Sequence, residues 1–191
     1  METTNTFKIA NITNNSLSLK WVLFLLLNIS LFSCETEIPD TDTTPPTFSI
    51  KITGDGFERT FSQDDNFDSF QLFLKTNQEY DILFSGTDQG GVKLVQLQYP
   101  KDYINFTTEV SDPWADVNVS GLSNMLNWQG NQDSPLTAGI FVGKFIPTGI
   151  NIGAEFNIYV QDFGGESSNY NSISKYLNIM IGNHDTEVHN F

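Results

Sequence analysis

Histidine and cysteine, two of the residue types most used in catalysis, are scarce in this sequence. Its two histidines, His184 and His189, lie near one end of the chain, and its single cysteine, Cys34, lies near the other. Because a nucleophile and its base must be within hydrogen-bonding distance, we expect no Ser-His-Asp or Cys-His site in the core. The Gly-x-Ser-x-Gly, P-loop and His-Glu-x-x-His motifs are absent. No pattern selects a carboxylate pair for glycoside hydrolysis, so the sequence predicts a protein that is not an enzyme and has no cofactor.

Carboxylates in turns are the second group of residues that could form a functional site. Asp88 and Asp162 each open a glycine-rich segment, and they offer the oxygen ligands that calcium prefers. Turn formation explains the same residues equally, because an aspartate side chain accepts hydrogen bonds from nearby backbone N–H groups. The acidic run 64–68 lacks the glycine and the terminal glutamate of an EF-hand loop. We therefore expect no metal, with Asp88 and Asp162 as weak calcium candidates.

Aromatic residues among amides and acids form the third group. Trp114, Trp128 and Tyr103 lie in a region rich in Asn, Gln and Asp, a composition that can stack on sugar rings and bond their hydroxyl groups. Core packing is the alternative, because large aromatic residues are usually buried. Trp128 follows Met125 and Leu126 in the manner of a buried strand residue, whereas the polar surroundings of Trp114 favour a loop. Both interpretations remain open from the sequence.

The N-terminal region has the pattern of a secretory signal. Lys20 precedes the apolar run Trp21–Ser33, which is shorter than the roughly 20 apolar residues of a spanning helix. The segment Leu31–Cys34 resembles the lipobox of bacterial lipoproteins, in which the cysteine becomes the lipidated first residue of the mature protein. The resemblance implies that residues 1–33 are a lipoprotein signal peptide and that an N-terminal lipid with palmitate on Cys34 is the membrane anchor. The unpaired cysteine agrees with this expectation.

Charge and composition limit the partners of the remaining chain. A formal net charge of −14 over the full sequence argues against nucleic acid and against electrostatic adhesion to anionic lipid. Residues 34–46, rich in acids, Thr and Pro, are expected to form a solvated tether. The acidic stretch after Cys34 resembles the export tag of lipoproteins on the outer face of the outer membrane. We expect an outer-membrane, lipid-anchored protein, with exposure at the cell surface or on the periplasmic side both open.

From Thr47 onward, apolar and polar residues alternate with the period-two pattern of half-buried strands, and turn-forming segments separate the runs. No helical periodicity is convincing. Many short strands between regular turns predict an all-β antiparallel sandwich over residues 47–183, followed by a polar C-terminal tail at 184–191. The residues expected to point inward are Phe48, Ile50, Ile52, Phe70, Leu72, Leu74, Tyr80, Ile82, Phe84, Val95, Leu97, Tyr99, Phe156, Ile158, Val160, Leu177, Ile179 and Ile181.

Three segments are similar to bacterial immunoglobulin-like domains: Thr44-Pro-Pro-Thr47, Asp88-Gln-Gly-Gly-Val92, and residues 156–168 with their Asp-x-x-Gly turn. The resemblance implies an immunoglobulin-like β-sandwich, with residues 101–135 as an enlarged middle region of loops or strands. It also implies a closing hairpin in which Gly164 or Gly165 has a positive φ, while Ser167 lies on the surface.

Two functions are consistent with these features. The first is a noncatalytic, lipid-anchored surface protein that displays an immunoglobulin-like domain to a protein partner or serves as an accessory subunit of an envelope complex. The second is a carbohydrate-binding lipoprotein that uses the aromatic loops. The sequence does not identify the partner, because many unrelated functions share this fold.

Overall fold

The computed structural model describes residues 36–164 and 169–191. In these ranges the chain forms twelve β-strands, one short 3-10 turn and no α-helix. No helix among the described residues is long and apolar enough to cross a membrane. The elements are β1 Thr47–Gly54, β2 Phe57–Ser62, the 3-10 turn Phe67–Ser69, β3 Phe70–Lys75, β4 Tyr80–Thr87, β5 Val92–Pro100, β6 Ile104–Phe106, β7 Trp114–Asn118, β8 Ser123–Gln129, β9 Ala138–Pro147, β10 Ile152–Asp162, β11 Ser172–Gly182 and β12 Glu187–Asn190.

The strands form two sheets. The five-stranded sheet has the order β2-β1-β4-β9-β6, and the seven-stranded sheet has the order β12-β3-β11-β10-β5-β8-β7. The groups β1-β4-β9-β6 and β5-β10-β11 correspond to the ABED and CFG sheets of an immunoglobulin fold. All strand pairs are antiparallel except β3 with β11, which is parallel. The predicted all-β, immunoglobulin-like sandwich is confirmed.

The core lies between the sheets because each strand buries every second side chain, as the alternation predicted. All eighteen residues expected to point inward are buried. The two sheets approach closely where β4 crosses β10, since a Cβ atom built on Gly86 would lie 2.8 Å from Val160 Cγ1. Gly86 therefore leaves room for Val160, and this contact brings the ends of β4 and β10 together.

Turn-forming residues lie between the strands, as the sequence predicts. Asp55 and Gly56 have φ angles of 53° and 76°, the left-handed pair that a two-residue I′ hairpin needs between β1 and β2. Gly164 follows β10 with a φ of 70°, which confirms the expectation that a glycine of the closing turn has a positive φ. Gly165 and Ser167 lie outside the described residues.

The enlarged middle region consists of strands as well as loops. The short strand β6 completes the five-stranded sheet beside β9, and the β7–β8 hairpin extends the seven-stranded sheet beside β5. The β7–β8 hairpin is therefore the part of the middle region that widens a sheet beyond the immunoglobulin set of strands.

The structure differs from the expectations for both ends of the domain. Residues 187–190 form β12, paired antiparallel with β3, where a polar tail was predicted. Val188 packs against the core, and the open edge of β3 supplies backbone partners for the strand. Residues 36–46 were expected to be solvated, but Pro46 is buried and the Asn171 side-chain amide donates to the Asp42 carbonyl over 3.1 Å. The signal segment 1–33 and Cys34 lie outside the described residues.

Candidate functional site

The ends of β4 and β10 bring the two calcium candidates together. In β4 the inward positions are Tyr80, Ile82, Phe84 and Gly86, and Asp88 occupies the next position of the same parity just beyond the strand. Asp162 continues the inward series of β10 in the same way and is fully buried. Because these strands meet near Val160, both carboxylates lie at one end of the sandwich.

Asp42 is the third member of this group, which we call the aspartate triad: Asp42, Asp88 and Asp162. One carboxylate oxygen from each residue lies within 4.8 Å of the others. Asp162 Oδ1 and Oδ2 accept hydrogen bonds from the Asn171 backbone N–H over 2.7 Å and from its side-chain amide over 2.9 Å. Asp88 Oδ2 accepts from the Gly90 N–H over 2.7 Å. The triad is therefore fixed by backbone and amide donors, with no Lys or Arg side chain among these partners.

Burial and mutual repulsion change the acidity of the triad. Burial, joined by the negative charges of Asp42 and Asp162, raises the pKa of the Asp88 carboxyl above its ordinary value. Burial and the charge of Asp42 likewise raise the pKa of Asp162, although the hydrogen bonds from Asn171 oppose this shift. Three ionised carboxylates at this separation therefore destabilise the folded state at neutral pH.

The triad can relieve this repulsion by taking up a proton or by binding a divalent cation. Two oxygens on opposite sides of one calcium ion are separated by roughly 4.6–5.2 Å, because each Ca–O distance is about 2.3–2.6 Å. The spacing within the triad falls inside that limit. Acid clusters of this kind also occur without a metal ion. The geometry therefore permits calcium binding but does not show that an ion binds.

We expect Asp88→Asn to melt at a higher temperature than the parent protein at pH 7, because it removes one charge and keeps an acceptor for the Gly90 N–H. A raised pKa means that the folded state holds more protons than the unfolded state above pH 3.8. The parent should therefore gain stability from the triad as the pH falls through the raised pKa, and the advantage of the variant should shrink.

Thermal melts at several pH values, with and without millimolar calcium, measure this effect. A variant that melts below the parent at pH 7 in chelator contradicts the repulsion. A calcium-dependent rise in the melting temperature of the parent that Asp88→Asn loses would show that a cation bridges the triad.

The two tryptophans proposed as ligand contacts, Trp114 and Trp128, lie in the core. Trp114 begins β7, and its exposed fraction is 6%; its Nε1–H donates to the Ile140 carbonyl over 2.8 Å. Its ring packs edge-on against Phe141, with 5.4 Å between centroids. Trp128 is 3% exposed and lies over Gly139. Core packing is thus the observed outcome for both residues, and the expected loop position of Trp114 is wrong because β7 pairs with β8 and turns the indole inward.

The remaining polar and aromatic candidates are separate from the triad. Tyr103 is 39% exposed in the turn before β6, a strand of the five-stranded sheet, whereas the paired tryptophans belong to β7 and β8 of the other sheet. His184 and His189 both pack against Phe73, with ring centroids 4.8 and 5.6 Å from it. These imidazoles pack against an aromatic ring, and the described residues bring no cysteine or carboxylate group with metal spacing to them.

A polar groove crosses the outer face of the seven-stranded sheet. It has a volume of about 480 Å³, and its polar lining comes from amides and one carboxylate on four neighbouring strands: Gln71, Gln98, Asn157, Asn178 and Glu155. Apolar groups of Tyr99, Pro100, Leu122 and Ala154 complete the lining. We call this feature the amide groove. Asn157 Oδ1 is buried there and has no hydrogen-bond partner among the described residues. Gly153 leaves the groove open, because a Cβ atom at this position would meet nothing within 4 Å.

Comparison with known proteins provides little further information. No protein-family profile matches the sequence, and no curated protein matches it. One similar solved structure is a cohesin module from a Clostridium perfringens family 33 glycoside hydrolase, with 10% sequence identity and a TM-score of 0.34. The match covers 59% of this chain and 96% of that module. A TM-score this low carries no functional assignment.

Sequence reasoning missed Asp42 and the amide groove for different reasons. The composition of residues 34–46 predicts a solvated segment around Asp42, and no local pattern indicates that this segment returns to the ends of β4 and β10. For Asp88 and Asp162, the parity of β4 and β10 is the signal that could have indicated an inward position. For the groove, Gln98 and Asn157 were visible as polar positions of alternating strands, but the registers of β5 and β10 are needed to place them side by side.

Proposed function

We propose that this protein is a noncatalytic module, anchored by lipid on Cys34 in the outer membrane, that contacts another envelope protein through its five-stranded sheet. The observation that carries the proposal is an exposed apolar strip on the outer face of that sheet. Leu83 and Val142 are directly opposed in the register of β4 and β9, with Ile140 on the same face of β9. Their exposed fractions are 40%, 69% and 56%.

The surroundings of this apolar strip support a role in protein contact. Lys144 bridges to Glu79 over 2.7 Å at one end of the strip, and Lys51 pairs with Glu58 over 2.6 Å on the neighbouring strands. Ser49 and Ser85 hydrogen-bond to each other beside it. An apolar centre within a polar rim is the usual anatomy of a protein interface. The domain has a strong net negative charge, which repels negatively charged partners. The apolar strip is uncharged, so it is the part of this sheet best suited to a partner of any net charge.

Photocrosslinking in cells of the native host tests the interface. A photoreactive residue in place of Val142 should give one discrete protein adduct, whereas the same residue in place of Thr60, on the same face of the edge strand β2, should give none. Adding Leu83→Asp should abolish the Val142 adduct. It should change the free energy of unfolding by less than about 0.5 kcal/mol, because Leu83 is a surface residue. Equal adducts at both positions, or an adduct that survives Leu83→Asp, would exclude the apolar strip as the contact.

Lipid anchoring is tested separately. Cys34→Ala should yield a protein that is no longer labelled by palmitate and that is recovered in the soluble fraction, because the domain's net charge gives no attraction to anionic lipid. Ser33→Ala, a small-for-small change beside the cysteine, is the matched control and should keep the label. Continued palmitate labelling of Cys34→Ala would end the lipoprotein proposal while leaving the interface test unaffected.

A further inference from the structure

The amide groove has the chemistry of a binding site. We propose that it binds a neutral oligosaccharide, a ligand class identified by hydroxyl groups that both donate and accept hydrogen bonds. The groove lies on the opposite sheet from the apolar strip, so this inference depends neither on the protein partner nor on the lipid anchor. Its volume of about 480 Å³ lies within the range of small-ligand pockets.

Side-chain amides supply the hydrogen bonds. Gln71, Gln98, Asn157 and Asn178 each offer a carbonyl acceptor and an N–H₂ donor. A sugar hydroxyl next to such a group can accept one hydrogen bond and donate another. Gln98 is held in place by its Nε2–H bond to Ser123 Oγ over 3.0 Å, so this part of the groove is ordered before any ligand arrives.

Asn157 marks the centre of the site. It lies opposite Gln98 on β5 and opposite Tyr176 on β11, between the two amide-bearing edges of the groove. Its Oδ1 atom is buried and has no partner among the residues that the structure describes. An unsatisfied buried acceptor costs free energy, and a ligand hydroxyl removes that cost only if the Asn157 side chain turns its amide toward the groove. The proposal therefore expects this side chain to reorient when the ligand binds.

The charge of the groove excludes several other ligands. Among the described residues that line it, none is Lys or Arg, and Glu155 is its one carboxylate. An anionic ligand such as a phosphate ester would meet repulsion from Glu155 and from the net charge of the chain. An extended peptide would find no unpaired backbone in the floor, because β10 is hydrogen-bonded on both sides by β5 and β11.

Tyr176 adds an apolar surface beside the amides. It is 51% exposed and is the register partner of Asn157, although Tyr176 itself is not one of the residues that line the groove. An exposed aromatic face can cover the C–H face of a sugar ring, while the amides bond the hydroxyls at its edge. The expected chemistry of aromatic and amide groups thus lies on β10 and β11 rather than at Trp114 and Trp128.

An NMR titration tests the site. The protein used is a soluble form that lacks the signal segment and contains residues 36–191. The probes are neutral cello-, xylo-, manno- and chito-oligosaccharides at millimolar concentration. At least one probe should shift the side-chain amide signals of Asn157 and Gln98. Asn157→Ala should weaken its affinity about tenfold, the equivalent of one hydrogen bond.

Two further variants separate binding from folding. Gly153→Trp fills the groove from a position with open space around it, so it should abolish binding while preserving the fold by circular dichroism. Gln161→Ala changes an amide of the same strand outside the groove, where it bonds Tyr159, and should bind like the parent. Absence of shifts with every probe, shifts remote from Asn157, or unchanged affinity in folded Gly153→Trp would each overturn the proposal.

Discussion

Gly164→Val is expected to destabilise the domain by about 2–5 kcal/mol, adding backbone strain to steric overlap. Gly164 has a φ of 70°, a left-handed conformation that a β-branched residue strongly resists. A Cβ atom at this position would lie 2.0 Å from the Asn169 carbonyl oxygen. That oxygen belongs to the backbone, so relieving the overlap requires movement of the closing turn itself. The loss should appear as a lower midpoint in urea and thermal unfolding.

Gly153→Val is the matched control for this prediction. Gly153 lies on the outer face of β10 with nothing within 4 Å of a built Cβ atom, and it has no positive φ. A β-branched residue suits a strand, so the change should alter stability by less than about 0.5 kcal/mol. If Gly164→Val melts like Gly153→Val, Gly164 does not have the left-handed, crowded conformation described.

Trp114→Ala is expected to destabilise the domain by about 3–5 kcal/mol, the usual cost of deleting a large aromatic side chain from a packed core. The indole fills the space between β7 and the five-stranded sheet and packs within 6.1 Å of Phe84, centroid to centroid. Its Nε1–H bonds the Ile140 carbonyl, which would be left without this donor. Chemical denaturation of the purified domain measures the loss.

Two variants distinguish core packing from a role at the surface. Trp114→Phe keeps most of the apolar contact but removes the indole donor, so it should cost about 1–3 kcal/mol. Tyr103→Ala removes an aromatic side chain that is 39% exposed, and it should cost less than the Trp114 variants. A Trp114→Ala protein as stable as the parent would restore the alternative in which this indole serves a ligand.

The two proposed contact surfaces lie on opposite sheets of the sandwich. The apolar strip is built from β4 and β9, whereas the amide groove crosses β3, β11, β10 and β5. A protein partner and a glycan could therefore bind together without competing for side chains. The two proposals can also be tested independently, because Leu83→Asp changes only the apolar strip and Gly153→Trp changes only the amide groove.

Local periodicity explains how much of the fold could be predicted from the sequence. A strand with one buried face must alternate apolar and polar residues, so the inward positions of β1, β3, β4, β5, β10 and β11 follow from the sequence alone. The Asp55-Gly56 hairpin and the positive φ of Gly164 follow from the conformational freedom of glycine and aspartate in turns. Strand β12 did not follow, because a short polar segment becomes a strand only when an open edge is available.

The sequence by itself determined the all-β fold and the inward-facing positions of its alternating strands, and it predicts lipidation at Cys34. Tertiary structure decided which residues meet. It brought Asp42 to the other two aspartates, buried both tryptophans, and aligned Asn157 with Gln98 and Tyr176. The physical reason is that alternation specifies the face of a strand on which a side chain lies, whereas strand order and register specify its neighbours, and these depend on contacts between distant parts of the chain.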